Sequence, residues 1–474
     1  MKTCHPAIAA IAAVLMVATP AAAETLVIAA PNVPEGFDGD ALRPGTQAVV
    51  PQIYENLTRY GRTTDANGRE VLDPSVIEGH LAESWTVSDD GKRYVFKLRE
   101  GVMSPHGNEL TADDVVWSWQ KSRDQKRTGN FIANVANVES VEEVSRYEVA
   151  FNLTDPSSIF LNTLTLYVPG IYDSTEMKRH ATEDDPWALE YIVDNTAGFG
   201  AYHLEQVRPD EMAVFVANPN YFGEAPYFDR VIYREVPSAA SRATLLLSGQ
   251  VHWIDRPAVQ LVSDLVDDDR VKVMDGPGQA MMAGWMNPNY EPFDDVRVRQ
   301  ALNYAVDRDL MIEAVTKGFG DQAKSVVPLF VDGYDDSAFP YEHNPEKARE
   351  LLAEAGYPDG FEVELLYSDL RWWLEPFSIQ LAAQLADVGV TVKPTRITSS
   401  DMRSRSAPAV RDMPFFTYES GPIVLDPGYT LYLLAHAEGV SNRGDYKNPE
   451  LDALIEEVIA TLDRDRRLEL VKEA

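Results

Sequence analysis

GHLAESWTVSDDGKRYVFKLREGVMSPHGNELTADDVVWSW, residues 79 to 119, decides the fold because it carries strand, turn and helix signals in a fixed order. Tyr94, Phe96 and Leu98 alternate with Arg93, Val95 and Lys97, the period of a strand with one buried face. Ser88-Asp89-Asp90-Gly91 supplies a turn ahead of it. Thr111 stands three residues before Asp114, a capping-box spacing, and opens a helix on which Val115 and Trp119 share a face. Strand and cap patterns need no ligand to account for them, so this block reads as scaffold.

Upstream, Lys2, an apolar run from Ala7 to Ala18 and Ala21-Ala22-Ala23 have the layout of a secretory signal peptide, residues 1–23, with Glu24 as the mature start. The run is too short for a permanent membrane span. The single cysteine, Cys4, precedes it and is not at the cleavage point, where a lipoprotein cysteine would be modified. The mature chain therefore has no disulfide, thiolate metal site or cysteine nucleophile, and is predicted to be periplasmic and held together by its cores. Net charge is −33, and since residues 1–23 hold one Lys and no acid, the remainder carries −34. Such a field repels nucleic acid and anionic lipid and favours a cationic or zwitterionic solute at long range; a solubility role accounts for the charge equally well.

Residues 24–57 read as a strand, TLVIAA, a Gly/Asp/Pro-rich loop and a helix from Gln47 to Leu57. Ligands of open α/β sheets lie beyond the carboxyl ends of strands, so the loop from Asn32 to Thr46 is a candidate binding wall. Strands are predicted near 136–153, MAVFVAN (212–218) alternates as a strand, and Gly198-Phe199-Gly200 lacks the full dinucleotide-binding pattern. Asp295 and Asp307 are placed as helix caps, and Asn344-Pro345-Glu346 opens a helix that Gly356 stops. A strand at 361–367, a helix at 375–388 and a strand at 390–397 make a βαβ unit with parallel strands and a right-handed crossover. Trp117, Trp119 and Trp253 fall on regular spacing and are predicted to be core.

The opening block, together with YENL (54–57), NPNYFGEAPYFDRVIYREVP (218–237), SRATLLLSGQVHWID (241–255) and NPNYEPFDDVRVRQALNYAVDRDLMIEAVTKGFG (287–320), resembles the family 5 solute-binding proteins. These are the extracytoplasmic receptors of peptide and nickel ABC importers. The resemblance covers essentially the whole mature chain and implies an α/β, periplasmic-binding-protein-like fold: two large lobes around a ligand cleft and a small inserted lobe. On this reading 24–66 and 195–277 form the first large lobe, 67–194 the inserted lobe and 278–474 the second, with further strands beyond Ala474 returning to the first. It also implies a monomeric receptor without catalytic groups or cofactor, partnered by a small-molecule or peptide ligand and by permease subunits in the membrane.

The βαβ unit makes the loop from Ser368 to Trp373 the best binding candidate. Arg371 can grip a carboxylate with two parallel hydrogen bonds, and Trp372 and Trp373 can stack on a ligand. Family peptide receptors hold the ligand's carboxyl end from this loop, which implies that role for Arg371. Gly45 and Thr46, with Gln47, correspond to a Gly-Thr element at the family's cleft, and Trp285 and Asn287 lie where the family crosses between large lobes. Beyond the strand Phe415-Phe416-Thr417-Tyr418, many relatives carry Gly-Trp, an aspartate, then an acidic residue and Pro. Asp426-Pro427 matches, but Ile423 stands where peptide-binding members use an aspartate for the α-amino group. A buried ammonium without a counter-charge is costly, so this departure counts against an ordinary peptide, with Glu419 as the substitute acid and Tyr418 as an aromatic wall.

The eight histidines show no zinc spacing, and neither a Gly-x-Ser-x-Gly elbow nor a phosphate loop is present. Among 75 acidic residues, glycosidase-like pairs arise by chance. The predicted activity is capture of a short peptide or amino-acid-derived solute. An opine, oligosaccharide, metal-chelate or haem receptor is the alternative within binding, and a secreted hydrolase the one outside it.

Overall fold

The computed structural model describes residues 24–474, apart from 42–44, 66–67, 167, 256, 275, 277, 279, 338 and 370; the signal-peptide segment and Leu370 lie outside the described residues. Arg93–Leu98 is a strand with Tyr94, Phe96 and Leu98 turned inward. It is the second strand of a four-stranded antiparallel sheet with Ala82–Val87, Glu148–Leu153 and Val138–Ser145. The turn before it closes through Gly91 N–H to Ser88 O at 2.9 Å, with Gly91 at φ 69°, where glycine avoids the Cβ clash. Asp114 accepts the Thr111 backbone N–H at 2.7 Å, so the capping box forms, and helix Ala112–Gln125 lays Val115 and Trp119 on the sheet. Phe96 and Trp119 meet Phe151 edge-on, with centroids 5.6 and 5.2 Å apart. Burial of each such ring stabilises by about 1.5–3 kcal/mol.

The first large lobe is a five-stranded sheet ordered Trp253–Ile254, Thr25–Ala30, Arg230–Glu235, Met212–Ala217, Tyr202–Arg208. Thr25–Ala30 runs parallel to both of its neighbours. Trp117 and Trp119 are buried as predicted, but Trp253 is 46% exposed. It sits on a two-residue edge strand, which has a neighbour on one side only. The second large lobe is a sheet ordered Met281–Met286, Phe415–Ser420, Glu362–Ser368, Thr391–Ile397. The βαβ unit is present: Glu362–Ser368 and Thr391–Ile397 pair in parallel around helix Leu374–Ala386.

The boundaries between lobes differ from the predicted ones. Thr58–Thr64 pairs with Glu70–Gly79, so a boundary at 66/67 would cut a hairpin. Helices Pro427–Ala435, Pro449–Ala460 and Arg464–Glu473 pack on the inserted lobe, in a core that Met281 and Trp285 of the second large lobe also touch. One core contains Leu57, Leu81, Phe96 and Phe160 together with Leu425, Ile455, Val458 and Leu470. The backbone is tied across the same seam, by Ser158 N–H to Ile459 O at 2.9 Å and Leu425 N–H to the Tyr60 hydroxyl at 3.0 Å. The helix predicted over 47–57 covers Thr46–Ile53. Pro51 removes a donor inside it, and the next residues join other backbone: Glu55 bridges Ile171, and Leu57 O accepts His80 N–H.

Candidate functional site

In the second large lobe, Glu362–Ser368 and Phe415–Ser420 run parallel, with Leu366 opposite Phe416, so their carboxyl ends emerge on one edge. Met281–Met286 is antiparallel to Phe415–Ser420 and starts at that edge, with Met282 opposite Glu419. The edge of a parallel sheet at its carboxyl ends is where backbone groups and loops remain free for a ligand.

Arg371 and Glu419 meet there, Nε to Oε2 at 3.3 Å, with side chains 40% and 19% exposed. Burial pushes the Glu419 carboxyl above the usual range, and the charge and hydrogen bond of Arg371 pull it back only in part. Trp372 is 42% exposed and stands perpendicular to Trp373 at 5.3 Å between centroids. Trp373 rests on the core beneath helix Leu374–Ala386, with its indole Nε1 buried and no acceptor among the described residues. Asp369 anchors the loop by accepting from Arg396 at 2.7 Å and Ser399 at 2.6 Å. Arg371, Trp372, Trp373, Tyr418 and Glu419 are thus gathered at one edge.

Tyr418 and Glu419 point to opposite faces of their strand. Tyr418 is 9% exposed and carries the guanidinium of Arg443 over its ring, 4.1 Å from the centroid. Trp285, also on this face, is half-buried and stacks on Phe416 at 6.5 Å and 13°. Its Nε1 is buried without an acceptor among the described residues. Arg443 is the residue that sequence reasoning missed: it lies in an aperiodic loop 25 positions after Tyr418, and no local spacing announces the contact.

Two predicted ligand residues are corrected. Asn287 is fully buried at the far end of Met281–Met286, where it donates to Arg411 O at 3.0 Å and accepts from Asn289 N–H and Nδ2. It organises a turn. Asp426 caps helix Pro427–Ala435: one oxygen accepts from the Gly428 and Tyr429 amides, the other from Asn162 at 3.0 Å and Arg467 at 2.6 Å. Its acceptor positions are all used within the protein. Ile423, half-buried against the shared core, supplies no charge.

On the first large lobe, Thr46 is buried and Gln47 exposed at the start of helix Thr46–Ile53, beside the loop leaving Thr25–Ala30. That loop is pinned by Val33 N–H to Glu235 at 2.9 Å. Gly45 has φ +76°, and a Cβ there would sit 2.8 Å from Asn32 Nδ2 and 3.1 Å from Pro34 backbone. Gly45→Ala is expected to destabilise by about 1–3 kcal/mol, read as a shift of the urea midpoint, because both the left-handed backbone and the contact must be relieved.

A cavity of about 890 Å³ lies elsewhere, between Met281–Met286, helix Leu374–Ala386 and the segment Gly318–Leu329. It reaches the edge at Met281, Met282, Ser420, Gly421 and Pro422, and none of the residues predicted from sequence lines it. Among the described residues, no group of three or more His, Cys, Asp or Glu could hold a metal, and no helix is long and apolar enough to cross a membrane.

Two α/β lobes with loops at their carboxyl edges, and a third lobe attached, define a binding protein of the periplasmic type. The chain belongs to the bacterial extracellular solute-binding proteins of family 5, whose middle-region model matches residues 76–442. It is 30% identical to heme-binding protein A of Haemophilus influenzae, over 95% of this chain and 84% of that one. It is also 30% identical to the dipeptide-binding protein of Escherichia coli, over 97% and 88%. Among solved structures, MoaA from A. tumefaciens R10, in complex with mannopinic acid, superposes with a TM-score of 0.76 at 26% identity, covering 95% of this chain and 90% of that one. The protein is therefore a solute-binding component of the ABC-importer type and not an enzyme.

Proposed function

We propose that the protein is a periplasmic receptor that captures a short peptide or amino-acid-derived solute by its carboxylate and delivers it to a membrane permease. The observation that carries this reading is the Arg371–Glu419 pair at the edge of the parallel strands, beside exposed Trp372. Without ligand each charge satisfies the other. A zwitterion can engage both members of the pair, its carboxylate on Arg371 and its ammonium on Glu419, which takes over the counter-charge that Ile423 lacks. Trp372 offers a flat apolar face to the ligand's side chain.

Residues 1–23, read as a signal peptide, support a periplasmic location. The dipeptide-binding relative supports a peptide-like solute, and the heme-binding one keeps a non-peptide solute as the alternative. The absent aspartate at Ile423 favours a second form of the same reading, an opine-like derivative whose amine differs from a free α-amino group. The receptor acts as a monomer, and its net charge of −33 disfavours nucleic acid as a partner.

Mass spectrometry of solute released from purified, denatured protein identifies the cargo, and titration calorimetry then measures it on variants. Arg371→Ala is expected to weaken binding by about 10- to 100-fold, the worth of a charge-assisted hydrogen bond. Unchanged affinity in Arg371→Ala would remove the assignment.

A further inference from the structure

Among the described residues, no carboxylate pairs with Arg443. Its one described hydrogen bond runs from Nη1 to the Ser406 hydroxyl at 3.2 Å, and Nε is buried without an acceptor. Three other arginines have a buried Nε without an acceptor but donate more widely: Arg411 to Asp445 and two carbonyls, Arg467 to Asp426 and Ser158 O, and Arg242 to the Val236 and Pro237 carbonyls. The acid nearest in sequence, Asp445, is already engaged by Arg411 at 3.1 Å, Lys447 at 3.0 Å and Asn289 at 2.9 Å. Burial pulls Arg443 below the ordinary arginine pKa; Tyr418 opposes this in part, and the charge of Arg411 adds to the lowering. A guanidinium nevertheless stays charged at any physiological pH.

The Tyr418 ring covers one face of the guanidinium at 4.1 Å. Trp285 belongs to the same cluster as Tyr418, and its ring lies against the backbone of the neighbouring Gly444, where a Cβ would come within 3.7 Å of Cε3. Its Nε1, like Arg443 Nε, is a buried donor with nothing described to donate to. Two such donors beside an uncompensated charge suit a planar anion with several acceptor sites.

We propose that Arg443, with Tyr418 and Trp285, forms a second anion subsite that selects solutes carrying an acidic group besides the carboxylate held by Arg371. This rests on the receptor reading above. The two arginines approach Phe415–Ser420 from opposite faces, Arg371 beside Glu419 and Arg443 on Tyr418, so the carboxyl end of one strand separates two cationic points. The favoured cargo is then a dicarboxylic amino-acid derivative or an acidic dipeptide.

Titration calorimetry with the matched pairs Ala-Glu/Ala-Gln and Glu-Ala/Gln-Ala tests this on wild type and Arg443→Met, which keeps an apolar stem against Tyr418. In wild type one acidic peptide is expected to bind at least about tenfold more tightly than its amide, and Arg443→Met to abolish the difference while amide affinity stays within about threefold. Removing an uncompensated charge should leave the melting temperature of the ligand-free variant unchanged or higher. Equal binding of acid and amide by wild type, or a preference surviving in Arg443→Met, overturns the subsite and leaves the receptor role standing. A ligand-free variant melting several degrees lower overturns it too, by making Arg443 a structural residue. If wild type binds none of the four peptides, the peptide reading falls and the subsite with it.

Discussion

Asp426→Ala is expected to cost about 3–5 kcal/mol of stability, the penalty for breaking a buried ion pair and stranding its partner. The side chain is 1% exposed and Arg467 14%, so water cannot replace what is lost. Four contacts vanish together: two helix-capping bonds to the Gly428 and Tyr429 amides, the bond from Asn162 in the inserted lobe, and the Arg467 pair. The cap alone contributes about 1 kcal/mol. Asp426→Asn is the milder change, since an amide oxygen still caps the helix and burial already pushes this carboxyl above its usual range despite Arg467. Urea denaturation followed by tryptophan fluorescence measures the order Ala, Asn, wild type. A ligand contact would show the reverse signature, with lost affinity at unchanged stability.

Lys121→Met is expected to cost a similar amount, about 3–5 kcal/mol at neutral pH, because it strands Asp38. Lys121 is fully buried and donates to Asp38 at 2.8 Å, while its ammonium lies 4.7 Å over the Tyr172 ring. Tyr172 OH and Asp40 N–H also donate to Asp38, and Arg127 remains 3.6 Å away to soften the loss. In wild type, burial would raise the Asp38 pKa, but the charge and hydrogen bond of Lys121, with the bonds from Tyr172 and Asp40, hold it below its ordinary 3.8. A carboxyl depressed by folding contributes stability above its unfolded value, lost as pH falls through the folded one. In Lys121→Met burial is no longer offset by Lys121, so the Asp38 pKa rises and protonation favours the folded form. The gap between variant and wild type should therefore narrow on acidification towards pH 4. Equal deficits at pH 7 and pH 4.5 would contradict this, and Lys121→Met/Asp38→Asn should recover much of the loss. The pair ties helix Ala112–Gln125 to the loop beyond Thr25–Ala30, so the measurement also reports how firmly this candidate binding wall is held.

The parts legible in the sequence were those whose physics is local. Tyr94, Phe96 and Leu98 announced their strand through period two, and Thr111 and Asp114 their helix through capping. The βαβ unit brought the Arg371 loop to a carboxyl edge without further information, and Glu419 followed as the end of the adjacent strand. Asp426 misled because its sequence context looked like a cleft motif, although Asp followed by Pro is also the ordinary start of a helix. Asn287 repeats the lesson: in Asn-Pro-Asn its amide closes a turn. The Arg443–Tyr418 stack and the seam between the inserted lobe and the last helices join residues distant in sequence, and neither periodicity nor capping encodes such a meeting.

That seam bears on how the polypeptide is made. The core around Phe96, Phe151 and Phe160 is closed by Leu425, Tyr429, Ile455, Val458 and Leu470, which leave the ribosome some 300 residues later. A nascent chain that has synthesised the inserted lobe cannot yet bury its apolar surface, and contacts of such long sequence separation form slowly. The inserted lobe's core is therefore completed only when the last helices have been made, whereas the core that runs from Ile28 to Val231 closes within its own stretch of chain.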